Sequence, residues 1–429
     1  MNEADLTLLL REHASRQSVP GAAVGFLRDG MTTCAYYGVA NAHAGGPVGR
    51  ETRFSVGSLT KSMVATVIAN LAEAGRLSLD DPIAAHLPEL PSRGWVEHAT
   101  LRDLLANRSG LPLRSALEFG FDLHTDMDAG ALSRLVAEID TDSEASDFWS
   151  YTNVGWCLLG RVIETATGAT WEDAMQRDLV EMVGMSETSF KSWTANPLRA
   201  SGHEVGAHGP VAVAPLVARA YGPAGTSAVS TITDMLRFAA LHLTQRSLAG
   251  LRVAHEEDVS IYGWLDAWCL GWARFDWEGE QVWGWDGLIN GERSFLRIVP
   301  EREAAIALLT NASSGRALYR ALFPDVMEAL FQIRIPPLRL DPSTEDAHDL
   351  TRFAGVYAWP YRRVEVKASG SGLLITTERR TMQALPISDR VFLIDPKDPD
   401  NPTVTFGRLD AAGRPHVLYL MLWGLPRLQ

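Results

Sequence analysis

At 429 residues the chain is too long for one ordinary hydrophobic core, since single cores stop growing near about 250–300 residues, so one large and one smaller domain are expected. A composition of 46% hydrophobic and 21% charged residues excludes a disordered chain or a fibrous repeat. The formal net charge of −13, uninterrupted by any Lys/Arg-rich run, removes the attraction that phosphate backbones and anionic lipids supply, so neither nucleic acid nor a membrane is expected as a partner.

The N-terminus, MNEADLTLLLREHASRQ, carries acidic residues where an export signal needs basic ones, and no later stretch offers about 20 uninterrupted apolar residues. Cys34, Cys157 and Cys269 are widely spaced and form no CxxC pair, which suits a reducing compartment; one disulfide plus a free thiol in a secreted protein is the alternative. A cytoplasmic location is the expectation.

Residues 3–16 read as an amphipathic helix. The apolar runs 22–27 and 32–40, separated by Arg28-Asp29-Gly30, read as a hairpin, because Asp-Gly between strand-like runs is a strong turn signal. From Ser58 to Ala74, Leu59, Met63, Val67, Ile68 and Leu71 fall at helical spacing, and Gly75 stands where a helix stops, so Ser58 opens a helix. Residues from about 80 to 240 are mostly helical in pattern. SFLRIVP (294–300) and AAIALLT (304–310) read as paired strands, and 315–332 as a closing helix. Strands from both ends then surround a helical middle, a layout in which they can share one antiparallel sheet. The Pro-rich, charged stretch at 336–345 reads as a linker between a domain at 1–335 and a small β domain at 346–429.

Only four lysines occur, at 61, 191, 367 and 397, and Lys61 alone has a serine three positions earlier. In Ser58-Leu59-Thr60-Lys61 the i, i+3 spacing puts hydroxyl and amine on one helical face. A serine needs a base to take its proton, and a desolvated lysine can serve, while the Ser58 N–H points at developing negative charge. A capping serine followed by a solvated lysine is the alternative. Tyr151-Thr152-Asn153 is the sole Y-x-N; a phenol there can relay protons and the amide can hold Lys61 and a substrate carbonyl, or the pair can be a packed tyrosine and a helix cap. Trp285-Asp286-Gly287 precedes the strand pair, where Gly287 gives a substrate access to the strand edge and the Leu288 N–H can be a second oxyanion donor, or the segment is a simple turn.

These three ordered motifs resemble those of serine β-lactamases and penicillin-binding proteins. FSVGSLTKSMVATVIANLAEAGRLSLDDPI, LRDLLANRSGLP, YTNVGWCLLGRVIETATG, GPAGTSAVSTITDMLRFA and RIVPEREAAIALLTNAS resemble the class C and esterase-like branch, and the similarity covers nearly all of residues 15–332. The resemblance implies an α/β (α+β) fold, with a β-lactamase-like antiparallel sheet flanked by helices, an all-helical subdomain and a small C-terminal lipocalin-like β-barrel. In some of the resembling proteins the tail packs over the site, where Arg427 could reach a substrate carboxylate; a plain surface arginine is the other reading. The third motif commonly begins with Lys or His, and Trp285 departs from it: an indole neither binds a carboxylate nor carries a proton, which argues against efficient β-lactam hydrolysis.

Other chemistries lack their signatures. There is no G-x-S-x-G elbow, and His203-Glu204 with His208 fails the H-E-x-x-H zinc spacing, so no metal and no cofactor are expected. The aromatic run from Tyr262 to Trp285, including Trp264, Trp268, Trp272, Phe275, Trp277 and Trp283, reads as core, with one or two rings available for an acyl pocket. The expected partner is a small-molecule or peptidyl acyl substrate. Ser58 forms an acyl-enzyme from an ester, thioester or amide and passes it to water or another nucleophile. A thioesterase of the penicillin-binding-protein type that cyclises nonribosomal peptides, a D-aminopeptidase or peptidase, and a receptor that acylates without turnover are the alternatives.

Overall fold

A computed structural model describes residues 1–114, 119–120, 122–143, 148–191, 198–253, 261, 264–338, 349–395 and 403–428. The first helix, Glu3–Arg16, starts in a capping box between Asn2 and Asp5 and buries the i, i+4, i+8 stripe Leu6, Leu10 and Ala14. Strands Gly21–Arg28 and Met31–Asn41 then pair with Arg28 opposite Met31. Asp29 and Gly30 form the expected two-residue turn, with φ of 51° and 73°.

On its other side Gly21–Arg28 pairs with Ala304–Thr310, joining the start of the chain to strands almost 300 residues later. Outward from there lie Glu292–Val299, Glu280–Ile289, Ala273–Trp277 and Ala267–Trp268, completing an eight-stranded antiparallel sheet with Gly45–Pro47 at its other edge. Every residue of Ala304–Thr310 is buried, because helices cover both faces. The two helices Glu3–Arg16 and Gly315–Phe331 pack together on one face, with Tyr319 stacked on Phe295 of the sheet. On the other lie Leu59–Glu73 and Ile232–Thr244; Leu236 of the latter sits where a side chain on Gly25 would reach. The intervening region is not wholly helical: His203–Gly206 and Gly209–Ala212 form a small hairpin within it.

From Gly355 to Pro426, eight strands each pair antiparallel with the next. Tyr357 pairs with Arg427, and the Leu428 N–H donates to the Val356 carbonyl, so the last strand returns to the first and nearly closes a barrel. Phe353, Phe392 and Phe406 pack in its interior. Strand Pro415–Leu420 has two buried faces: Leu418 belongs to the barrel core, whereas Val417 and Tyr419 belong to the core of the larger unit. Among the described residues no helix is long and apolar enough to cross a membrane, and the three cysteines are unbridged.

Candidate active site

Ser58 stands at the N-cap of helix Leu59–Glu73, yet its hydroxyl makes no capping bond. That separates it from a structural cap, whose oxygen accepts from the first-turn N–H groups. Its φ of −65° and ψ of −8° are helical rather than extended, so the hydroxyl stays on the face that also carries Lys61. The Lys61 amine lies 2.8 Å from the Ser58 Oγ and 2.6 Å from the Ala224 carbonyl. Lys61 is 0% exposed, and no carboxylate is among its hydrogen-bond partners. Burial therefore pulls its pKa down to about 7, against a smaller opposing effect from Cys157. A solvated lysine is ruled out, and near pH 7 about half of the amines carry a free lone pair.

Tyr151 precedes helix Asn153–Thr167 and is enclosed by Trp149, Trp268 and Trp285 at centroid distances of 6.4, 5.8 and 5.5 Å. Burial pushes its pKa well up, while hydrogen bonds to the Ser58 hydroxyl and the Trp285 indole work in the opposite direction. The phenol stays protonated at neutral pH. Trp285, 1% exposed, donates its indole N–H to the Tyr151 Oη at 3.3 Å. An N–H donor thus occupies the place where the resembling enzymes commonly carry Lys or His. The same phenol also hydrogen-bonds the Ser58 hydroxyl. Trp285→Phe, which keeps an aromatic ring but removes the pyrrole half of the indole with its N–H, is expected to lower kcat about tenfold with little change in KM, measured by ester hydrolysis. Equal kcat in variant and wild type would show that the bond does not contribute.

Strand alternation decides the rest of the third motif. Ile289 and Glu292 flank the two-residue turn Asn290-Gly291 and form a hydrogen-bonded pair, so Leu288 opposite Arg293 falls at a non-bonded position, its N–H pointing to the outer edge. The neighbouring strand on that edge stops pairing at Gly284. The segment before Ser58 packs there: a Cβ on Gly57 would lie 2.9 Å from the Leu288 nitrogen, and one on Gly225 would lie 3.0 Å from the Ser58 nitrogen. Ser58 and Leu288 both line the same cavity. Gly287 is needed for a different reason than expected: a Cβ there would come within 2.1 Å of the Val56 carbonyl, so its bareness admits the serine-bearing segment rather than a substrate. Asp286 also departs from expectation. Its side chain points to the opposite face, held by Arg297 at 2.8 Å and Arg316 at 3.0 Å, and it does not line the cavity. Asn153 lines the cavity with an exposed side chain, but the Ala224 carbonyl, not the Asn153 amide, is what holds Lys61.

Ser58 and Tyr151 lie in a cavity of about 330 Å³ whose described walls include Leu113, Leu123, Leu216, Tyr221 and Leu288, with Arg114 and Arg362, and no Asp or Glu. None of the tryptophans from Trp264 to Trp285 lines it: most are core, and Trp268 and Trp285 serve by packing on Tyr151. Tyr262 lies outside the described residues. The indole in the wall is Trp423 of the barrel, which sequence reasoning missed along with Arg362 and Ala224. Only GPAGTS, already part of the resemblance, hinted at Ala224. Arg427 is not at this site: its guanidinium donates to the carbonyls of Arg352 (3.1 Å) and Ala354 (2.5 Å), fastening the barrel where its ends meet. His203 is structural, its ring nitrogens engaged by the Asn311 carbonyl and the Ala42 N–H.

The β-lactamase family model matches residues 6–330, and the chain belongs to that family, within the serine β-lactamase and penicillin-binding-protein superfamily of serine hydrolases. It is 30% identical over 361 residues to penicillin-binding protein 4 of Amycolatopsis lactamdurans, covering 79% of this chain and 93% of that one. Among solved structures, SurE aligns with a TM-score of 0.81 at 27% identity over 99% of both chains. SurE with D-Leu aligns at 0.78 and 26% identity, also over 99% of both. The octameric penicillin-binding protein homologue from Pyrococcus abyssi shares the fold, with a TM-score of 0.68 at 21% identity over 99% of this chain and all of that one.

Proposed function

We propose that this protein is a serine acyl-transfer enzyme that forms an acyl-enzyme on Ser58 from an ester, thioester or amide and hands the acyl group to water or another nucleophile. The observation that carries this is the 2.8 Å contact between the Ser58 hydroxyl and a fully buried lysine with a pKa near 7. Neutral Lys61 takes the Ser58 proton as Oγ bonds to the carbonyl carbon, and the N–H groups of Ser58 and Leu288 receive the oxyanion. As the bond to the leaving group breaks, Tyr151 gives it a proton, which the Lys61 ammonium, 5.0 Å from the ring centroid, restores. The incoming nucleophile is activated by the reverse sequence, since no Asp or Glu is among the described residues lining the cavity.

A second reading, a thioesterase of the penicillin-binding-protein type that cyclises a peptide, is supported by the likeness to SurE through the barrel as well as the larger unit, and by the D-Leu in one of those structures. The donor would then end in a D-configured apolar residue, in keeping with the aliphatic wall of the cavity. Both readings are tested by mixing the protein with a fluorophosphonate, p-nitrophenyl esters and peptidyl thioesters ending in D- or L-Leu, followed by peptide mapping and product analysis. Adducts on Ser58 with turnover are expected. Their absence from Ser58 rejects the acyl-enzyme; free acid alone, with no preference for D-Leu, rejects the cyclase.

A further inference from the structure

We propose that the last hairpin of the C-terminal barrel is a positioning element of the active site, holding Tyr151 through its backbone so that the phenol reaches Ser58 only when the barrel is docked. This rests on the reading of Tyr151 as a proton handler and extends it to residues more than 270 positions away.

The stretch from Phe148 to Thr152 is irregular, so its polar groups need partners outside any helix or strand. The Ser150 N–H finds the Asn107 carbonyl within the larger unit at 2.9 Å, but the Tyr151 N–H donates to the Leu422 carbonyl of the barrel at 3.0 Å. The link is returned one residue away, where the Gly424 N–H donates to the Ser150 Oγ at 3.1 Å. Two bonds running in opposite directions fix the height and the rotation of the tyrosine's backbone. Their approach is close: a Cβ on Gly424 would lie 2.1 Å from the Trp149 carbonyl, so only glycine lets the two backbones meet.

The hairpin is rigid enough to act as a template. Leu420 and Trp423 close a two-residue turn in which Met421 takes a φ of 54°, and the Met421 N–H donates to the Thr403 carbonyl at 3.0 Å. Tyr419, one strand residue before it, packs its ring on Trp149 at 6.1 Å, and Trp149 in turn contacts Tyr151. The barrel therefore touches the phenol's support from both backbone and ring. Leu422 and Gly424 are positioning residues, since neither is placed to touch the reacting atoms.

The experiment is a double-mutant cycle in the full chain between Gly424→Val and Tyr151→Phe, with phenyl acetate and p-nitrophenyl acetate as probes. Gly424→Val is expected to lower kcat/KM, which reports acylation, about 10²-fold for phenyl acetate, and less for p-nitrophenyl acetate, whose leaving group has little need of a proton. In the Tyr151→Phe background the same change should cost less than about twofold, because the group it mispositions is already gone. A generally loosened fold would instead lower kcat/KM for both esters alike and multiply with Tyr151→Phe, and that result overturns the proposal, as does unaltered kcat/KM. Ser150→Ala, which removes only the acceptor of the Gly424 N–H, is put through the same cycle and decides the matter if Gly424→Val does not fold; about a tenfold, Tyr151-dependent loss is expected. Fluorophosphonate labelling of wild-type Ser58 separates the two levels. Labelled Ser58 with an additive cycle defeats the hairpin alone, whereas unlabelled Ser58 defeats the acyl-enzyme reading beneath it.

Discussion

Ser58→Ala is expected to lower turnover by about five to six orders of magnitude and to abolish every covalent adduct, because on the acyl-enzyme reading it removes the atom that bonds to the acyl carbon. The residual rate should not vanish. The N–H groups of residues 58 and 288 are backbone, survive the substitution and still polarise a bound carbonyl, which in other serine enzymes sustains about 10³–10⁴-fold over water. Intact-protein mass spectrometry and steady-state rates check the two parts separately. The fold should be untouched, since the Ser58 hydroxyl caps nothing and the helix begins with backbone bonds such as Lys61 N–H to the Ser58 carbonyl at 3.0 Å. An equal adduct on wild type and Ser58→Ala would mean that the three motifs form a scaffold and that the nucleophile is elsewhere.

Lys61 carries the next largest effect. Lys61→Met is expected to lower kcat/KM about 10³–10⁴-fold, the range for loss of a positioned base. Lys61→Arg should be nearly as poor even though it keeps a cation, because a guanidinium does not give up its proton near neutral pH. If charge at this position were what mattered, Arg would rescue, and that result would refute the lysine as base. The wild-type pH profile makes the same point without mutation. Burial lowers the Lys61 pKa to about 7, and the proposed mechanism uses the neutral amine. On the proposed mechanism kcat/KM is therefore expected to rise tenfold per pH unit below about pH 7 and to level off above it. A protonated Tyr151 over this range, held so by burial, leaves no competing rise from a phenolate base.

On the proposed mechanism, Trp285 favours a lysine base over a phenolate. A phenolate at position 151 would need cations around it, and the side chain that most often supplies one in the third motif is an indole in this chain. Its N–H donates to the phenol oxygen but brings no charge. The ionic balance of the motif is displaced to the other face of the sheet, where Asp286 is spent on Arg297 and Arg316.

The local features were legible in the sequence because their causes lie within a few residues. The turn at Asp29-Gly30 follows from two positions with positive φ, and the helix beginning after Ser58 follows from apolar spacing and the glycine at 75. The alignment of Ser58 with Lys61 follows from helical geometry alone. The pairing of Gly21–Arg28 with Ala304–Thr310 was within reach because an apolar strand must be covered on both sides.

What the sequence by itself determined, then, is which reactive groups share a helical face and in what order the motifs come. Only the tertiary structure decided what surrounds those groups. Burial sets the Lys61 pKa, and the groups that enclose it, such as the Ala224 carbonyl 163 residues away, carry no mark in the local pattern. Strand alternation and packing turned Asp286 away from the cavity and Trp285 toward Tyr151, while barrel closure took Arg427 and left Trp423 and Arg362 at the wall. Propensity and spacing act over one or two turns of chain; desolvation and hydrogen-bond partnership depend on which distant surfaces meet, and that is decided when the sheet and the barrel pack together.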